Sequence, residues 1–453
     1  VMKKLSLIMS WMLFSSVLIA QADSIQTFNL EQCIQYALDH QQDVQNSTLD
    51  IRNAEYKKKE AIGAGLPQIH GKVQTLDHLN LQQQFLPANA FDPTAPADIV
   101  VPVGFGVQLT NDINFTATQL LFDGSYLAGV KASKVYIDLY SKSLTRTKVD
   151  VVENVAKAYC GVLVAHERVS ILERDSEILL ELINDTKIRY ENGFAEQIDV
   201  QRLQVQNNNI FVELANLLSF ELISYKILKF QMGMDVDNEI KVSGNLEDVF
   251  KTAIEKDLPN PDATNRIEYQ VLESNKKINE INVDYNIAQG MPKLSLFGSA
   301  GYNTGTNTSG DLFKPDNYKG YTRVGLQLDV PIFQGLSKTN RVNQARITLQ
   351  KTQLDIEKFE LGVGLEYAQA KSKFDVNMQK IDFHQQNIEL AENVSKVTRI
   401  KYEQGIGSNY ELTDAVSSLL DAKTDYYIAI YDAMISYIEL QKALGVLYQE
   451  GEK

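Results

Sequence analysis

From residue 105 the chain alternates. Phe105, Val107, Leu109, Ile113, Phe115 and Ala117 are apolar, while Gln108, Thr110, Asp112, Asn114, Thr116 and Thr118 are polar. The same period of two runs through 323–332, where Val324, Leu326, Leu328, Val330 and Ile332 oppose Arg323, Gln327 and Asp329. In 293–302, Leu294, Leu296, Ala300 and Tyr302 oppose Lys293, Ser295 and Ser299, and 69–79 alternates less cleanly. Successive strand side chains point to opposite faces, so these segments predict four strands of about ten residues, each with one oily and one wet face. Leu109, Phe115, Leu326 and Leu328 are expected on the oily face. Gln108, Arg323, Gln327 and Asp329 are expected on the wet face, lining a lumen if the strands form a barrel.

Elsewhere the period changes. Positions 144, 148, 151, 155, 158, 162, 165, 169, 172, 176, 179, 183, 186 and 190 follow a 4-3 spacing, and all but Lys148, Ser176 and Thr186 are apolar. Adding 212 gives a second stripe from 356 to 402. Such spacing predicts supercoiled helices, and nearly 70 helical residues would span about 100 Å, longer than any globular core. Each long helix stops at a glycine, Gly193 in "IRYENGFAEQIDV" (188–200) and Gly405 in "IKYEQGIGSNYEL" (400–412). A glycine just past a helix end supplies a left-handed turn, and return helices follow from Gln197 and Ser408. Two long antiparallel coiled-coil hairpins are predicted, with these motifs at their tips.

The two halves repeat one another. "GLP" (65–67) and "GMP" (290–292) stand 225 apart, "LLFDG" (120–124) and "PIFQG" (331–335) stand 211 apart, and the tips stand 212 apart. The first half therefore carries a longer loop, rich in Pro and Ala, across 82–102. The expected organisation is a signal peptide (1–22), a first repeat (23–232), an inter-repeat segment (233–263), a second repeat (264–447) and a tail (448–453). Four strands cannot close a membrane barrel, because the smallest need about eight and lipid does not tolerate an open edge. The fold class is thus mainly α with a membrane β-barrel completed by several copies, and the barrel continues into a tube of helices. That is a conduit.

Composition narrows the function. A net charge of −14 and a pI near 5.0 argue against non-specific nucleic-acid binding. Lys3 and Lys4 precede an apolar run ending in Ala20-Gln21-Ala22, a cleavable export signal. Removing residues 1–22 takes away two lysines and no acid, so −14 becomes −16, and it removes Trp11. Any aromatic girdle must then use residues such as Phe105, Tyr302 and Tyr321. Cys33 and Cys160 are too few for a disulfide framework and read as buried thiols. No Gly-x-Ser-x-Gly, His-Glu-x-x-His, phosphate loop or Cys-x-x-Cys occurs, so neither enzymatic activity nor a cofactor or metal site is expected.

Six ordered pieces carry a resemblance: "GLP", "GMP", "LFDG", "IFQG", and the tips "RYENGFAEQIDV" and "KYEQGIGSNYELTDA", with "LGV" (444–446) near the end. The chain resembles the TolC family of outer-membrane efflux proteins over nearly all its mature length. The resemblance implies a homotrimer in outer-membrane lipid of a Gram-negative-type bacterium, with a 12-stranded barrel and a periplasmic α-helical tunnel. It implies a mid-tunnel belt to which 232–263 contributes, and partnership with a periplasmic adaptor protein and an inner-membrane transporter. The role implied is the exit duct of a tripartite efflux or type I secretion system.

By the same resemblance, Tyr402 and Asp199 fall on the family's periplasmic gate and Glu411 and Asp414 on its acid ring. Gly407 stands where a latch arginine would be. Local readings remain beside these. Ser408 and Glu411 fit a capping box, Tyr190 and Tyr402 lie on the heptad stripe, and Asp414 could pair with Arg202. The competing reading of the whole is an exported coiled-coil structural or adhesive protein with a soluble sheet.

Overall fold

The computed structural model describes residues 26–96, 98–255 and 258–448. The expected signal peptide lies outside them, as does the tail beyond 448. The chain runs β1 (Gln26–Phe28), α1 (Leu30–His40), α2 (Gln42–Gly63), β2 (Gln68–Asp77), β3 (Gln83–Pro87), β4 (Val100–Gly104), β5 (Leu109–Phe122). Then come α3 (Gly124–Glu191), α4 (Gln197–Met232), β6 (Ile240–Val242) and α5 (Leu246–Ile254). The second half is α6 (Ile267–Ala288), β7 (Lys293–Thr306), β8 (Lys319–Asp329), α7 (Ser337–Glu403) and α8 (Asn409–Leu444). Two compact units result. One comprises the described part of 1–47 with 144–267 and the chain from 360 onward, and the other 48–143 with 268–359.

The second unit holds an antiparallel sheet of order β2-β5-β7-β8, whose outer edges, on β2 and β8, have no partner in the chain. Directly paired residues share a face. The rows Ile69–Ala117–Gly298–Val324 and Gly71–Phe115–Ala300–Thr322 lie on one side, with Leu296 and Leu326. His70, Lys72, Asn114, Ser299, Arg323 and Gln327 lie on the other. The oily face is uncovered: Val324 is 76% exposed, Leu326 66% and Phe115 60%. A soluble sheet would bury that face against a second layer. Among the described residues no helix is long and apolar enough to cross a membrane.

Three expectations are corrected here. Tyr321 pairs with Gly301 on the polar face, where its hydroxyl donates to Asp112 Oδ2 at 3.1 Å beneath the Arg323 guanidinium, so it is not a girdle residue. Phe105 and Gln108 precede the ladder, because Gly106 adopts a φ of 119° that breaks the extended run. Gln108 instead donates its backbone N–H to Asn307 Oδ1 (2.9 Å) and accepts from the His78 N–H (2.7 Å) at the sheet margin. The long loop is no plain loop: β3 and β4 pair as a hairpin, with Phe85 opposite Pro102.

In the first unit α1, α3, α4, α5 and α8 bury one core around Cys33, Val155, Tyr159, Cys160, Leu228, Met232, Leu246, Ile430 and Met434. The inter-repeat segment joins it. β6 pairs in parallel with β1, α5 buries Leu246 and Phe250, and the Tyr159 hydroxyl donates to the Ser243 carbonyl. Both cysteines are free and buried, and burial pushes each thiol up to about 12.

A chain of charges ties α3, α7 and α8 together. Lys442 meets Asp150 (2.7 Å) and Glu153 (2.6 Å), Lys157 meets Glu153 (2.8 Å) and Glu439 (3.1 Å), and Lys373 meets Glu439 (2.9 Å). Burial alone would raise the Glu153 and Glu439 carboxyls. The hydrogen bonds and charges of their lysines outweigh it and hold both below the usual range. Burial likewise opposes Lys157 and Lys442, yet their carboxylate partners hold them above theirs.

Two outcomes follow from this architecture. Arginine in place of Leu326 should cost about 2–4 kcal/mol near the bilayer midplane and much less in place of Gln327. Refolding titrations into lipid measure the difference, and equal costs would reverse the face assignment. The charge chain should stabilise fully at neutral pH. Its contribution should fade as pH falls below the ordinary 4.5 of Glu through the depressed folded values. It should fade again as pH rises past the ordinary 10.5 of Lys. Lys442→Met should cost about 1–3 kcal/mol at pH 7 and flatten the acid limb of a Tm-against-pH curve.

Candidate gate at the hairpin tips

The two long helices end in the same cap. The Phe194 N–H donates to the Arg189 carbonyl (2.8 Å) and the Gly193 N–H to Tyr190 (3.0 Å). At the second tip Ile406 donates to Lys401 (3.0 Å) and Gly405 to Tyr402 (3.0 Å). This is a Schellman motif twice over, and it requires the left-handed backbone that Gly193 (φ 78°) and Gly405 (φ 75°) supply. The repeated motif is therefore first a pair of matched helix stops.

The return helices are capped as well. The Asp199 carboxylate accepts from the Glu196 N–H (3.1 Å) at the start of α4, and Ser408 Oγ accepts from the Glu411 N–H (3.2 Å) at the start of α8. Each satisfies a backbone donor that a helix N-terminus leaves open.

Contacts between the hairpins surround Tyr402, which is 9% exposed on a seam with Leu179, Leu182, Leu203 and Leu412. Its hydroxyl lies 3.1 Å from Thr186 Oγ1, itself wholly buried. Arg189 sits 5.6 Å over the Tyr402 ring and donates Nη1 to the carbonyls of Tyr402 (3.4 Å) and Glu403 (3.1 Å), capping the end of α7. Asn409, also buried, donates Nδ2 to the Asp199 carbonyl at 2.9 Å.

Tyr402 and Asp199, which the resemblance places on one gate, are not bonded to each other within the chain. Tyr402 points along the seam to Thr186, and Asp199 spends its carboxylate on its own helix start. Three residues that join the tips were missed: Thr186, Arg189 and Asn409. Thr186 carried a signal, being one of three polar exceptions on an apolar stripe, where a buried hydroxyl needs a partner.

Glu411 and Asp414 are exposed. Asp414 lines a groove of about 550 Å³ with Arg202, Gln206, Tyr410 and Thr413, but forms no ion pair with Arg202 among the described residues. At Gly407 an added Cβ would meet the Tyr402 nitrogen at 3.0 Å and the Lys401 Cβ at 3.1 Å. The turn closes tightly on this glycine, so any side chain there requires the cap to shift.

The sequence model of the outer membrane efflux protein family matches residues 271–446. Outer membrane protein TolC of Vibrio cholerae is 20% identical over 348 residues, covering 76% of this chain and 78% of that protein. In structure, CusC superposes with a TM-score of 0.74 at 16% identity, over 92% of this chain and 91% of CusC. The Campylobacter jejuni CmeC outer membrane channel gives 0.72 at 16%, over 94% and 87%. Residues 271–446 thus match the outer membrane efflux protein family, and the fold is shared with these outer membrane channels.

Tyr402→Phe should free the Thr186 hydroxyl at a cost of about 1 kcal/mol, and Arg189→Ala should uncap α7. Both should raise single-channel conductance in planar bilayers. Asp199→Ala should cost about 1 kcal/mol of helix capping with little change in conductance. Conductance that tracks Asp199 and ignores Arg189 would refute this assignment.

Proposed function

We propose that this chain forms, with two further copies, the passive exit duct of an efflux or secretion assembly in the outer membrane. The observation that carries it is an uncovered oily sheet face with two open strand edges, continuing into long coiled-coil hairpins. Three chains supply twelve strands, within the range of membrane barrels. A second surface supports the same closure. Val376, Phe383, Leu390 and Val397 on α7 recur every seven residues, each about half or more exposed in the single chain, as a seam awaiting a neighbouring helix does.

In this reading 23–232 and 264–447 are the structural repeats, and 233–263 forms a belt around the helical tunnel. Arg323, Gln327 and Asp329 face the lumen. The tips are the periplasmic gate, opened by an adaptor protein that links the duct to an inner-membrane transporter. Glu411 and Asp414 would each occur three times around the opening, attracting cations. The uncovered oily face also disfavours an adhesive fibre, which would have to bury it.

Light scattering in mild detergent should give a trimer, and a monomer would overturn the proposal. In planar bilayers Asp414→Asn should weaken cation preference and divalent block. Unchanged selectivity would remove Asp414 from the gate.

A further inference from the structure

In a closed ring the free edge of β8 in one copy meets the free edge of β2 in the next, since these are the two edges the four-stranded sheet leaves open. This step rests on the ring proposed above. Because neighbours in the sheet are antiparallel throughout, β8 and the following β2 also meet antiparallel. Opposed residues must then share a face. The oily face takes odd positions on β2 (Ile69, Val73) and even positions on β8 (Val324, Leu326, Leu328). A slip by one residue would turn every oily side chain into the lumen. Three registers satisfy this while pairing at least eight residues of each strand: Val73 opposite Thr322, opposite Val324, or opposite Leu326.

Strand tilt separates them. Paired positions lead across the sheet from Gln68 to Thr118, Phe297 and Gly325. With Val73 opposite Val324, Gly325 meets Lys72 of the next copy, so the path climbs four residues per chain and twelve around the ring. At about 3.3 Å per residue and about 4.8 Å between strands, that stagger over twelve strands tilts them by about 35°. The Thr322 register halves the stagger and gives about 19°, well below the 35–45° of membrane barrels. The Leu326 register gives about 46° and leaves Gln68 and Ile69 beyond the end of β8. Only the Val324 register also pairs all ten residues of β2.

We propose that copies join with Val73 of one chain opposite Val324 of the next, and that this seam lines the barrel with a basic belt. On the polar face Lys72 comes opposite Gly325 and Gln74 opposite Arg323. Lys72 and Arg323 become diagonal neighbours across the seam, a spacing long side chains bridge. Around this pair one carboxylate is near, Asp112, which already accepts from Tyr321; Asp329 lies farther along the seam, opposite Gln68, with Lys293 paired beside it. Repeated three times, the excess positive charge attracts small anions into the barrel. It is opposite in sign to the acids of the tips.

Cysteine pairs test the register. Opposed Cβ atoms in a sheet lie about 4.5–5.5 Å apart, close enough for a disulfide after small adjustment. Cys33 and Cys160 are wholly buried and do not compete. On oxidation the Val73→Cys/Val324→Cys chain should run as a covalent trimer in denaturing gels. Val73→Cys/Thr322→Cys and Val73→Cys/Leu326→Cys should stay mostly monomeric. Preferential cross-linking through either of these controls would overturn the register. If no pair cross-links while the trimer persists in mild detergent, the seam lies elsewhere and this inference fails alone. If the parent is no trimer, the ring itself fails. Independently, Lys72→Gln with Arg323→Gln should shift the reversal potential in a salt gradient toward cations, and an unshifted potential would exclude the belt.

Discussion

A backbone N–H or C=O facing hydrocarbon has no water to pair with, so a membrane sheet cannot keep an open edge. That constraint governs this molecule. The chain makes four strands and leaves β2 and β8 unpaired on their outer sides, so its membrane part is incomplete by itself. In the ring proposed above, further copies close it. Because α3 follows β5 and α7 follows β8, each copy that completes the barrel also brings its own coiled-coil hairpins. The exposed heptad positions on α7 are what such an arrangement requires of its helices.

At the tips one set of residues fixes the turns and another joins the two hairpins. Gly193 and Gly405 end the long helices, and Asp199 and Ser408 start the return helices, so none of these can change without altering the turn. What joins the two hairpins is a smaller set: Tyr402 on Thr186, Arg189 over Tyr402 and on the last carbonyls of α7, and Asn409 on the Asp199 carbonyl. These contacts are largely buried and neutral apart from Arg189. Glu411 and Asp414 remain exposed to solvent. The backbone closes so tightly on Gly407 that a side chain there would require the cap to shift.

Repeating local patterns were legible in the residues alone. A strand alternates every two residues and a supercoiled helix every three and a half, so the four strands, the long helices and their glycine stops could be placed without tertiary information. The duplication gave each motif a second witness. Even the polar side of Tyr321 was present as parity, since it shares odd numbering with Arg323 and Gln327. Its aromatic character obscured that.

Tertiary structure decided the rest, because it depends on residues far apart in sequence. That Tyr402 meets Thr186 and not the Asp199 carboxylate follows from how one hairpin packs on the other, across 216 positions. The Asp199 carboxylate is held by a backbone N–H only three residues away, a local bond that needs nothing from the other hairpin. Gln108 leaves the strand because one backbone torsion at Gly106 ends the ladder, and β3 finds β4 across a segment with no clear period. Periodicity specifies which face a residue occupies. Only packing and register specify what it touches there, since side-chain partners are set by geometry that no single stretch of chain contains.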